Sequence, residues 1–315
     1  MKNKKTIALC IPAYNAATYL PRLLRSAASQ KIPFDEILVY NDCSTDNTAE
    51  VAKAHGARII SGDRNVGCSA GKNALLSECS SEWIHFHDAD DELLPKFTTL
   101  AHAWLVKPDM PDVLLFNYEY RENETKEIIA LSDFSGQRLR SDPIEYAILT
   151  QINPFCGLYR KKRLQEVGGH DLYPDILYNE DVAFHCKLAI AGLTFDVEPK
   201  VSIINFRISG SMSGANQVKC LKAQHAVMRR VATQVGARYH EAIAQRLWAI
   251  SSGLAVYGEW GEMDRALELS FSLFSKVPYG QSRWFSKLAI AVSPKIAFRV
   301  RENLIRLFKP YLREK

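Results

Sequence analysis

The feature that most constrains the fold is the alternation of short apolar strands with helical patterns through the first ninety residues. Strand-like runs lie at residues 7–15, 36–42, 57–61 and 82–87. A helical pattern follows each of the first three runs, and in the first of them Leu20, Leu23, Leu24 and Ala27 form one apolar face. Strands and helices that alternate at this spacing predict βαβ units and an α/β fold with a mainly parallel, Rossmann-type sheet flanked by helices.

Polar residues cluster where three of these strands end. They lie at residues 12–15, 41–46 and 88–91, and Pro12 is expected to break the first strand. Ligands of parallel sheets bind beyond the carboxyl ends of the strands. We therefore expect these three segments to converge on one crevice.

The last of these segments places three carboxylates, Asp88, Asp90 and Asp91, within four positions. Carboxylates this close repel one another, and a bound cation relieves the repulsion. So few oxygen ligands suit Mg²⁺ or Mn²⁺ shared with phosphate oxygens. The alternative is a solvated acidic loop that caps the next helix.

Five segments, taken together and in this order, resemble the inverting family-2 glycosyltransferases of the GT-A fold. The resemblance covers residues from about 6 to about 213. The segments are Ile11-Pro-Ala-Tyr-Asn15, Tyr40-Asn-Asp-Cys-Ser-Thr-Asp-Asn-Thr48, Arg64-Asn-Val-Gly-Cys-Ser-Ala-Gly-Lys-Asn73, Asp88-Ala-Asp-Asp91 and Asn179-Glu-Asp181. Their joint occurrence is far more specific than any one of them.

The resemblance implies a nucleotide-sugar site with Mn²⁺ or Mg²⁺ as cofactor. The implied metal ligands are Asp90 and Asp88, Tyr14 would lie beside the base, and Asp42 would accept a hydrogen bond from the base imide. The implied donor-binding residues are Pro12, Tyr14, Asn15, Asp42, Lys72, Asp88, Ala89 and Arg207. Asp91 is expected to orient the loop.

The chain departs from the family pattern at several of these positions. Asn41 replaces the first of two aspartates, and Cys43 stands where glycine is common, although glycine tolerates a positive φ far better. Lys72 replaces the more frequent arginine and lacks its bidentate fork. Ser209 or Ser211 stands where a histidine often contacts the diphosphate, so a flexible linker there is an equal alternative.

The segment at residues 178–188 supplies the candidate base. It reads as the acidic start of an amphipathic helix, and acidic residues in a first helical turn also favour the helix dipole without any catalysis. The resemblance implies that Asp181 is the base and that Glu180 orients the acceptor.

The implied reaction is the transfer of a sugar, with inversion, from a nucleotide-sugar donor to a glycan or lipid-linked glycan acceptor. UDP is the preferred nucleotide because Asp42 resembles a uracil acceptor. The resemblance extends to hexosyltransferases of bacterial surface polysaccharide or lipopolysaccharide synthesis. Two alternatives are a sugar-phosphate nucleotidyltransferase, which would normally have a glycine-rich basic loop after the first strand, and a catalytically silent carbohydrate-binding relative.

The predicted domains are a glycosyltransferase domain at residues 1–213 and a helical region at 214–315. The nucleotide-sugar half would span about 1–117 and the acceptor half about 118–213, with residues 153–160 and 168–171 shaping the acceptor cleft. Three helices are predicted at residues 219–235, 239–257 and 263–276. The oligomeric state cannot be read from the sequence.

Charge and cysteine content indicate the compartment and the partners. Seven cysteines without a C-x-x-C pair predict free thiols, and the chain shows no leader and no run of ~18–20 apolar residues, so we expect a cytoplasmic protein. His85 and His87 are expected to be packing residues and not metal ligands. Ten of the 40 Lys and Arg residues follow residue 275. This basic end carries apolar residues at helical spacing from 294 to 313, which predicts a helix that lies on an anionic membrane surface or packs on the core. It lacks the groove-reading and base-stacking motifs of nucleic-acid-binding proteins.

Overall fold

The structure is a computed structural model that describes residues 5–208, 212–277 and 293–313. The chain divides into two compact units. The first comprises Met1–Pro143, Ile152–Leu172 and Lys187–Ser211, and the second comprises Ile144–Gln151, Tyr173–Cys186 and Met212–Lys315. The predicted boundary near residue 213 stays a prediction. By contacts, two short segments that precede it, residues 144–151 and 173–186, group with the C-terminal helices.

The first unit contains the sheet. Within the described residues its strands are β1 (Ile7–Ala13), β2 (Glu36–Asn41), β3 (Arg58–Ser61), β4 (Trp83–Phe86), β5 (Glu92–Leu93), β6 (Val113–Glu122), β7 (Ile128–Leu131), β8 (Gly157–Arg160) and β9 (Phe195–Arg207). The helices that begin in this unit are α1 (Leu20–Ala28), α2 (Thr48–Ala54), α3 (Cys68–Glu78), α4 (Phe97–Leu105), α5 (Gly136–Ser141), α6 (Pro143–Leu149) and α7 (Lys161–Glu166).

The strand order is β3-β2-β1-β4-β8-β6-β9-β5, with β7 paired to β6. β1, β2, β3 and β4 pair with one another in parallel, as the alternation of strands and helices predicts, whereas β8 joins β4 and β6 in antiparallel pairs. β1 is central, and Ile7, Ala8 and Leu9 are fully buried. The predicted α/β class is therefore confirmed, with a mixed sheet whose first half is parallel.

The prediction that Pro12 breaks the first strand is wrong, because β1 continues to Ala13. The Cys10 carbonyl accepts a hydrogen bond from His87 N, and the Ala13 carbonyl accepts one from Asp42 N. Alternate residues of a strand face opposite neighbours, so Pro12 faces the β4 side, beyond the last residue of β4. A proline costs no ladder hydrogen bond at that position.

The second unit is helical. Its main elements are α8 (Glu180–Ile190), whose last residues belong to the first unit, α9 (Met212–Ala215), α10 (Gln217–Gln234), α11 (His240–Val256), α12 (Trp260–Leu273) and α13 (Pro294–Phe308). The three helices predicted after residue 218 are confirmed as α10, α11 and α12. None of the described helices is long and apolar enough to cross a membrane.

The C-terminal helix α13 packs on α11 and α12. Ala297 and Phe298 are buried, and the Phe298 ring lies 5.4 Å from the Trp248 ring. Arg299 donates hydrogen bonds of 3.0 and 2.8 Å to Asp264. The rest of the predicted apolar stripe stays exposed, and it comprises Val300, Leu304, Leu307, Phe308 and Tyr311. Packing in the second unit therefore accounts for only one side of this helix.

Candidate functional site

The loops after β1 and β2 are joined by hydrogen bonds at the carboxyl edge of the sheet. Asn15 Oδ1 accepts a 2.8 Å hydrogen bond from Thr45 N, and Asn15 N donates a 3.0 Å bond to Ser44 Oγ. Ala16 N donates to Thr48 Oγ1 at 2.8 Å. Asn15 thus acts in these contacts as a connector of two loops, whereas the neighbouring Tyr14 ring is 51% exposed and accessible to a ligand.

Asp42 joins a third loop to the same edge. Its two carboxylate oxygens accept 2.8 Å hydrogen bonds from Val66 N and Gly67 N, and the residue is buried. Each carboxylate oxygen has a second lone pair for a further donor. The position after Asp42 has a left-handed backbone, with a φ of 60° at Cys43, a conformation that glycine adopts far more readily than cysteine.

The motif at residues 64–73 ends in α3, which packs closely against β2. A Cβ atom at Gly71 would lie 2.8 Å from Tyr40 Cδ1, so only glycine fits without a shift of the ring. The following residue, Lys72, is 2% exposed. Contact between Lys72 and a diphosphate would require its side chain to extend from this buried position.

The acidic cluster follows β4 directly. Asp88, Ala89 and Asp90 are half-buried, whereas Asp91 is buried and accepts 2.8 Å hydrogen bonds from Asn205 Nδ2 and Phe206 N of β9. Asp91 therefore holds the loop against β9, as expected. Burial, and then the charges of Asp90 and Asp88, raise the pKa of Asp91 well above its usual value.

Sequence reasoning missed a cation beside this cluster. Arg22 of α1 donates a hydrogen bond to the Asp90 carbonyl and another of 2.8 Å to Asn123 Oδ1, and its guanidinium lies 3.8 Å from the Phe206 ring centre. The sequence contains one sign of this role, because Arg22 lies two residues after Leu20, among the apolar positions of α1. Arg22 supplies part of the counter-charge that the carboxylates require.

The half-buried pair Asp88 and Asp90 fits a divalent cation. Burial, and then the charge of Asp88, raise the pKa of Asp90 to about 6 even though Arg22 opposes the shift, so negative charge remains to be balanced. The described residues contain no group of three or more His, Cys, Asp or Glu side chains placed to hold a metal. Mg²⁺ is commonly bound by one or two carboxylates together with substrate phosphates, which matches this pair.

Other predicted residues lie farther along the chain. Arg207, at the end of β9, is 2.5 Å from Glu122 in an ion pair, and its side chain is 60% exposed. Ser209 and Ser211 lie outside the described residues. Glu180 and Asp181 form the first turn of α8 within the second unit, where Glu180 is buried and Asp181 is half-buried. All the predicted donor and metal residues belong to the first unit.

The two histidines of β4 and its end form a buried hydrogen-bonded pair. His85 Nδ1 lies 2.8 Å from the Gly157 carbonyl, and His85 Nε2 lies 2.9 Å from His87 Nδ1. Burial lowers the pKa of His85 to about 4, so both rings stay neutral at physiological pH and pack in the core.

Comparison with known proteins places this geometry in a family. The sequence model for glycosyl transferase family 2 matches residues 8–168, half of the chain. Chondroitin synthase of Pasteurella multocida is 39% identical over 100 residues, which are 30% of this chain and 10% of that protein. The chain spans less than half the length of the first curated relatives that it matches.

Two solved structures share the fold. The crystal structure of S. aureus TarS 1–349 in complex with UDP-GlcNAc has a TM-score of 0.69 and 20% identity, and the match covers 96% of this chain and 92% of that one. The mannosyltransferase PcManGT from Pyrobaculum calidifontis, in complex with GDP-Man and Mn²⁺, has a TM-score of 0.60 and 17% identity, with 99% and 83% covered. With the five motifs on a sheet of this topology and a family match over half its length, the chain belongs to glycosyl transferase family 2.

Proposed function

We propose that this protein is an inverting, metal-dependent glycosyltransferase. It transfers one sugar from a UDP-sugar to a glycan or lipid-linked glycan in bacterial surface polysaccharide synthesis. The main support is the half-buried pair Asp88 and Asp90, which follows β4. β4 pairs with β1, and the loop after β1 is joined by hydrogen bonds to the loop after β2, so the three segments lie at one edge of the sheet. The surface-glycan role rests on similarity to the chondroitin synthase.

The donor nucleotide would bind along the loops after β1 and β2. The exposed Tyr14 ring would lie against the base, Asp42 would accept from the base imide, and Pro12 and Asn15 would line the pocket. UDP is proposed from Asp42 and from the UDP-GlcNAc complex of TarS. Because PcManGT, which shares the fold, is in complex with GDP-Man, the test must include nucleotides other than UDP.

The diphosphate would bind next to the acidic cluster. Asp90 and Asp88 would hold Mn²⁺ or Mg²⁺, which when bound supplies positive charge to a leaving diphosphate. Ala89 would allow close approach of the donor. Lys72 and Arg207 are the proposed phosphate contacts, and Arg207 would exchange its ion pair with Glu122 for the ligand.

The acceptor hydroxyl would lose its proton to Asp181. The oxygen then attacks the anomeric carbon on the face opposite the diphosphate, so the configuration at that carbon inverts. Glu180 would orient the acceptor. Both carboxylates lie in the first turn of α8, where the helix dipole favours their ionised form.

Calorimetric titration tests the donor site. UDP-, GDP-, CDP- and dTDP-sugars are titrated with Mn²⁺ and with chelator into the wild-type protein and into Asp90→Asn. We expect one nucleotide to bind in a metal-dependent manner and Asp90→Asn to lose that dependence, whereas Asp109→Asn, a change at an exposed aspartate after α4, should bind normally. Binding that ignores both metal and Asp90 would contradict the proposal.

A second variant tests the base. Asp181→Asn should reduce transfer by about 10²–10⁴-fold and leave donor affinity unchanged, because a general base acts on the acceptor. Glu241→Gln is the matched control, since Glu241 is an exposed acid in the first turn of α11. If both variants lost the same amount of transfer activity, the favourable interaction of an acid with the helix dipole, and not base catalysis, would account for the effect of Asp181→Asn.

A cytoplasmic protein that attaches to the inner membrane face through α13 is part of the proposal. Leu307 and Phe308 are each 71% exposed on a helix with neighbouring basic residues. We expect co-sedimentation with phosphatidylglycerol vesicles to fall in Leu307→Ser/Phe308→Ser and to persist in Val106→Ser, which removes an apolar residue of the first unit that is 84% exposed. If the double change left co-sedimentation with the vesicles unchanged, this surface would be excluded as the membrane contact.

A further inference from the structure

A cavity of about 370 Å³ opens within the second unit, between the segment that precedes α8 and the helices α10 and α12. Its size falls in the range of roughly 300–1,000 Å³ that is usual for small-ligand sites. We call it the α10 cavity. Its polar walls include Asp175, Tyr178, Lys219, Lys222, Arg229 and Glu262.

Three cations of α10 line the cavity. Lys219 Nζ lies 3.3 Å from the Tyr178 hydroxyl and makes no ion pair within the described part of the chain. Lys222 pairs with Glu259 at 2.8 Å, and Arg229 is 3.5 Å from Asp175 with its side chain 62% exposed. Lys219 and Arg229 therefore keep most of their charge available to a ligand.

The two carboxylates of the cavity are already neutralised by other cations. Arg230 donates hydrogen bonds of 2.8 and 2.7 Å to the two oxygens of Asp175. Glu262 accepts hydrogen bonds from His225 and Arg265, which lower its pKa although burial alone would raise it. The net charge that the α10 cavity presents is thus positive.

The cavity lies next to the candidate catalytic pair. Tyr178 is two residues before Glu180, on the same chain segment. Lys219 Nζ, which lines the cavity, lies 3.3 Å from the Tyr178 hydroxyl of that segment. A ligand in the cavity would therefore lie near the start of α8, where the proposed base is located.

We propose that the α10 cavity binds an anionic unit of the acceptor, a uronate or a phosphate-bearing sugar, through Lys219 and Arg229. The proposal rests on the function proposed above and names the acceptor class. It follows from the charge that Lys219 and Arg229 keep available, from the neutralised carboxylates, and from the position of Tyr178 two residues before Glu180. A neutral glycan would leave these cations without a counter-ion.

Calorimetry with three oligosaccharides of matched length, carried out on the whole 315-residue chain, tests this proposal. They are a uronic acid oligomer, a glycerol phosphate oligomer and a neutral hexose oligomer. We expect one of the two anionic oligomers to bind and the neutral one not to bind. The two anionic arms distinguish a carboxylate from a phosphate. Equal affinity for the neutral oligomer, or no binding of either anionic oligomer, would overturn the proposal.

Variants at Lys219 test the contact itself. Lys219→Glu should weaken binding of the anionic oligomer about tenfold or more, since the charged hydrogen bond to the oligomer is lost and a repulsive charge replaces it. Lys219→Arg should restore binding. Lys276→Glu makes the same charge change at an exposed lysine outside the cavity and should leave affinity unchanged. If Lys276→Glu and Lys219→Glu lowered the affinity for the anionic oligomer to a similar extent, the net charge of the protein would explain the effect and the proposal would be contradicted.

Donor titration of the same samples separates the two proposals. Metal-dependent binding of the nucleotide-sugar should be equal in wild type and Lys219→Glu, which also shows that the variant is folded. If the donor binds and the anionic oligomers do not, only the acceptor class is wrong. If the donor does not bind in wild type, the glycosyltransferase proposal itself fails.

Discussion

Two residues of the candidate donor site have left-handed backbone conformations, Asn15 with a φ of 48° and Cys43 with a φ of 60°. Asparagine adopts this region more readily than most residues, and the Asn15 side chain is held there by the hydrogen bond that it accepts from Thr45 N of the loop after β2. The Cys43 side chain makes only a weak 3.9 Å hydrogen bond from Sγ to the Asp63 carbonyl. The Cys43 turn therefore stores strain beside Asp42.

We expect Cys43→Gly to stabilise the protein. Relief of the left-handed strain contributes about 1–2 kcal/mol, and the greater freedom of glycine in the unfolded chain removes about 0.5–1 kcal/mol of that gain. Urea unfolding should give a net increase of about 1 kcal/mol in the free energy of unfolding. Cys43→Ala keeps the Cβ atom and should leave the free energy of unfolding unchanged. If Cys43→Ala raised it as well, the loss of the thiol, and not relief of backbone strain, would be the cause.

Gly71 illustrates a motif glycine that is required for packing. Gly71→Ala should lower the free energy of unfolding by about 1–3 kcal/mol, because the new methyl group overlaps the Tyr40 ring. Gly261→Ala, in the first turn of α12, meets nothing nearer than Arg265 at 3.9 Å and should be neutral or stabilising. Chemical denaturation of both variants gives the comparison, and equal effects would rule out the steric explanation.

At the scale of elements, α13 depends on one buried acid. Glu302 is fully buried and accepts hydrogen bonds from Arg313 at 2.8 and 2.9 Å and from Arg301 at 3.1 Å. Burial alone would raise the pKa of Glu302, but Arg313 and then Arg301 lower it below 4.5. The charged form is therefore the one that stabilises the fold.

We expect Glu302→Gln to lower the free energy of unfolding by about 1–3 kcal/mol at pH 7, the range for hydrogen bonds to charged groups. The folded-state pKa is lowered, so this contribution is full above pH 4.5 and is lost as pH falls through the folded-state value. Urea unfolding of wild type and variant should thus converge below pH 4.5. The control Glu268→Gln removes an exposed ion pair with Lys295 and should change the free energy of unfolding by less than about 0.5 kcal/mol. A stability difference between wild type and Glu302→Gln that does not vary with pH would contradict the role of the charged form.

Most elements could be predicted because apolar periodicity is a local property of the sequence. The four parallel strands and the helices α10, α11 and α12 follow directly from it. Pro12 and Arg22 could not be predicted in this way, since their environments depend on where β4 ends and on how α1 packs against β9. The positive charge of the α10 cavity depends equally on pairings, such as Arg230 with Asp175, between residues 55 positions apart.

At the scale of the molecule, the family motifs predicted a set of donor-site residues, but they did not predict the contacts that those residues make. The joint occurrence of five segments pointed to the family that the comparisons show. It did not indicate that Asp42 is bonded to Val66 and Gly67, or that Lys72 is buried. Such contacts arise from loops brought together by the sheet.

The seven cysteines, all within the described residues, form no disulfide with one another in the structure, and their exposure differs along the chain. Cys43 is exposed, Cys68 and Cys220 are half-buried, and Cys10, Cys79, Cys156 and Cys186 are buried. Burial raises the pKa of Cys186 to about 12 and that of Cys10 well above its usual value, so few thiolates form there.

We expect a thiol reagent such as Ellman's reagent to titrate Cys43 rapidly in the native protein and the four buried cysteines only in denaturant. Absorbance measured over time without reductant checks this. Seven thiols should react after unfolding. Fast reaction of more than three in the native state, or fewer than seven after unfolding, would contradict the assignment.

The hydrogen bonds among the loops after β1, β2 and β3 have a consequence for ligand recognition. Asn15 links the first two loops, and Asp42 links the second to the third through two backbone amides. Loops already ordered in the free protein lose little conformational entropy when a ligand binds. The affinity of any ligand at this edge of the sheet would therefore be set by its own contacts and would not be diminished by the ordering of the protein around it.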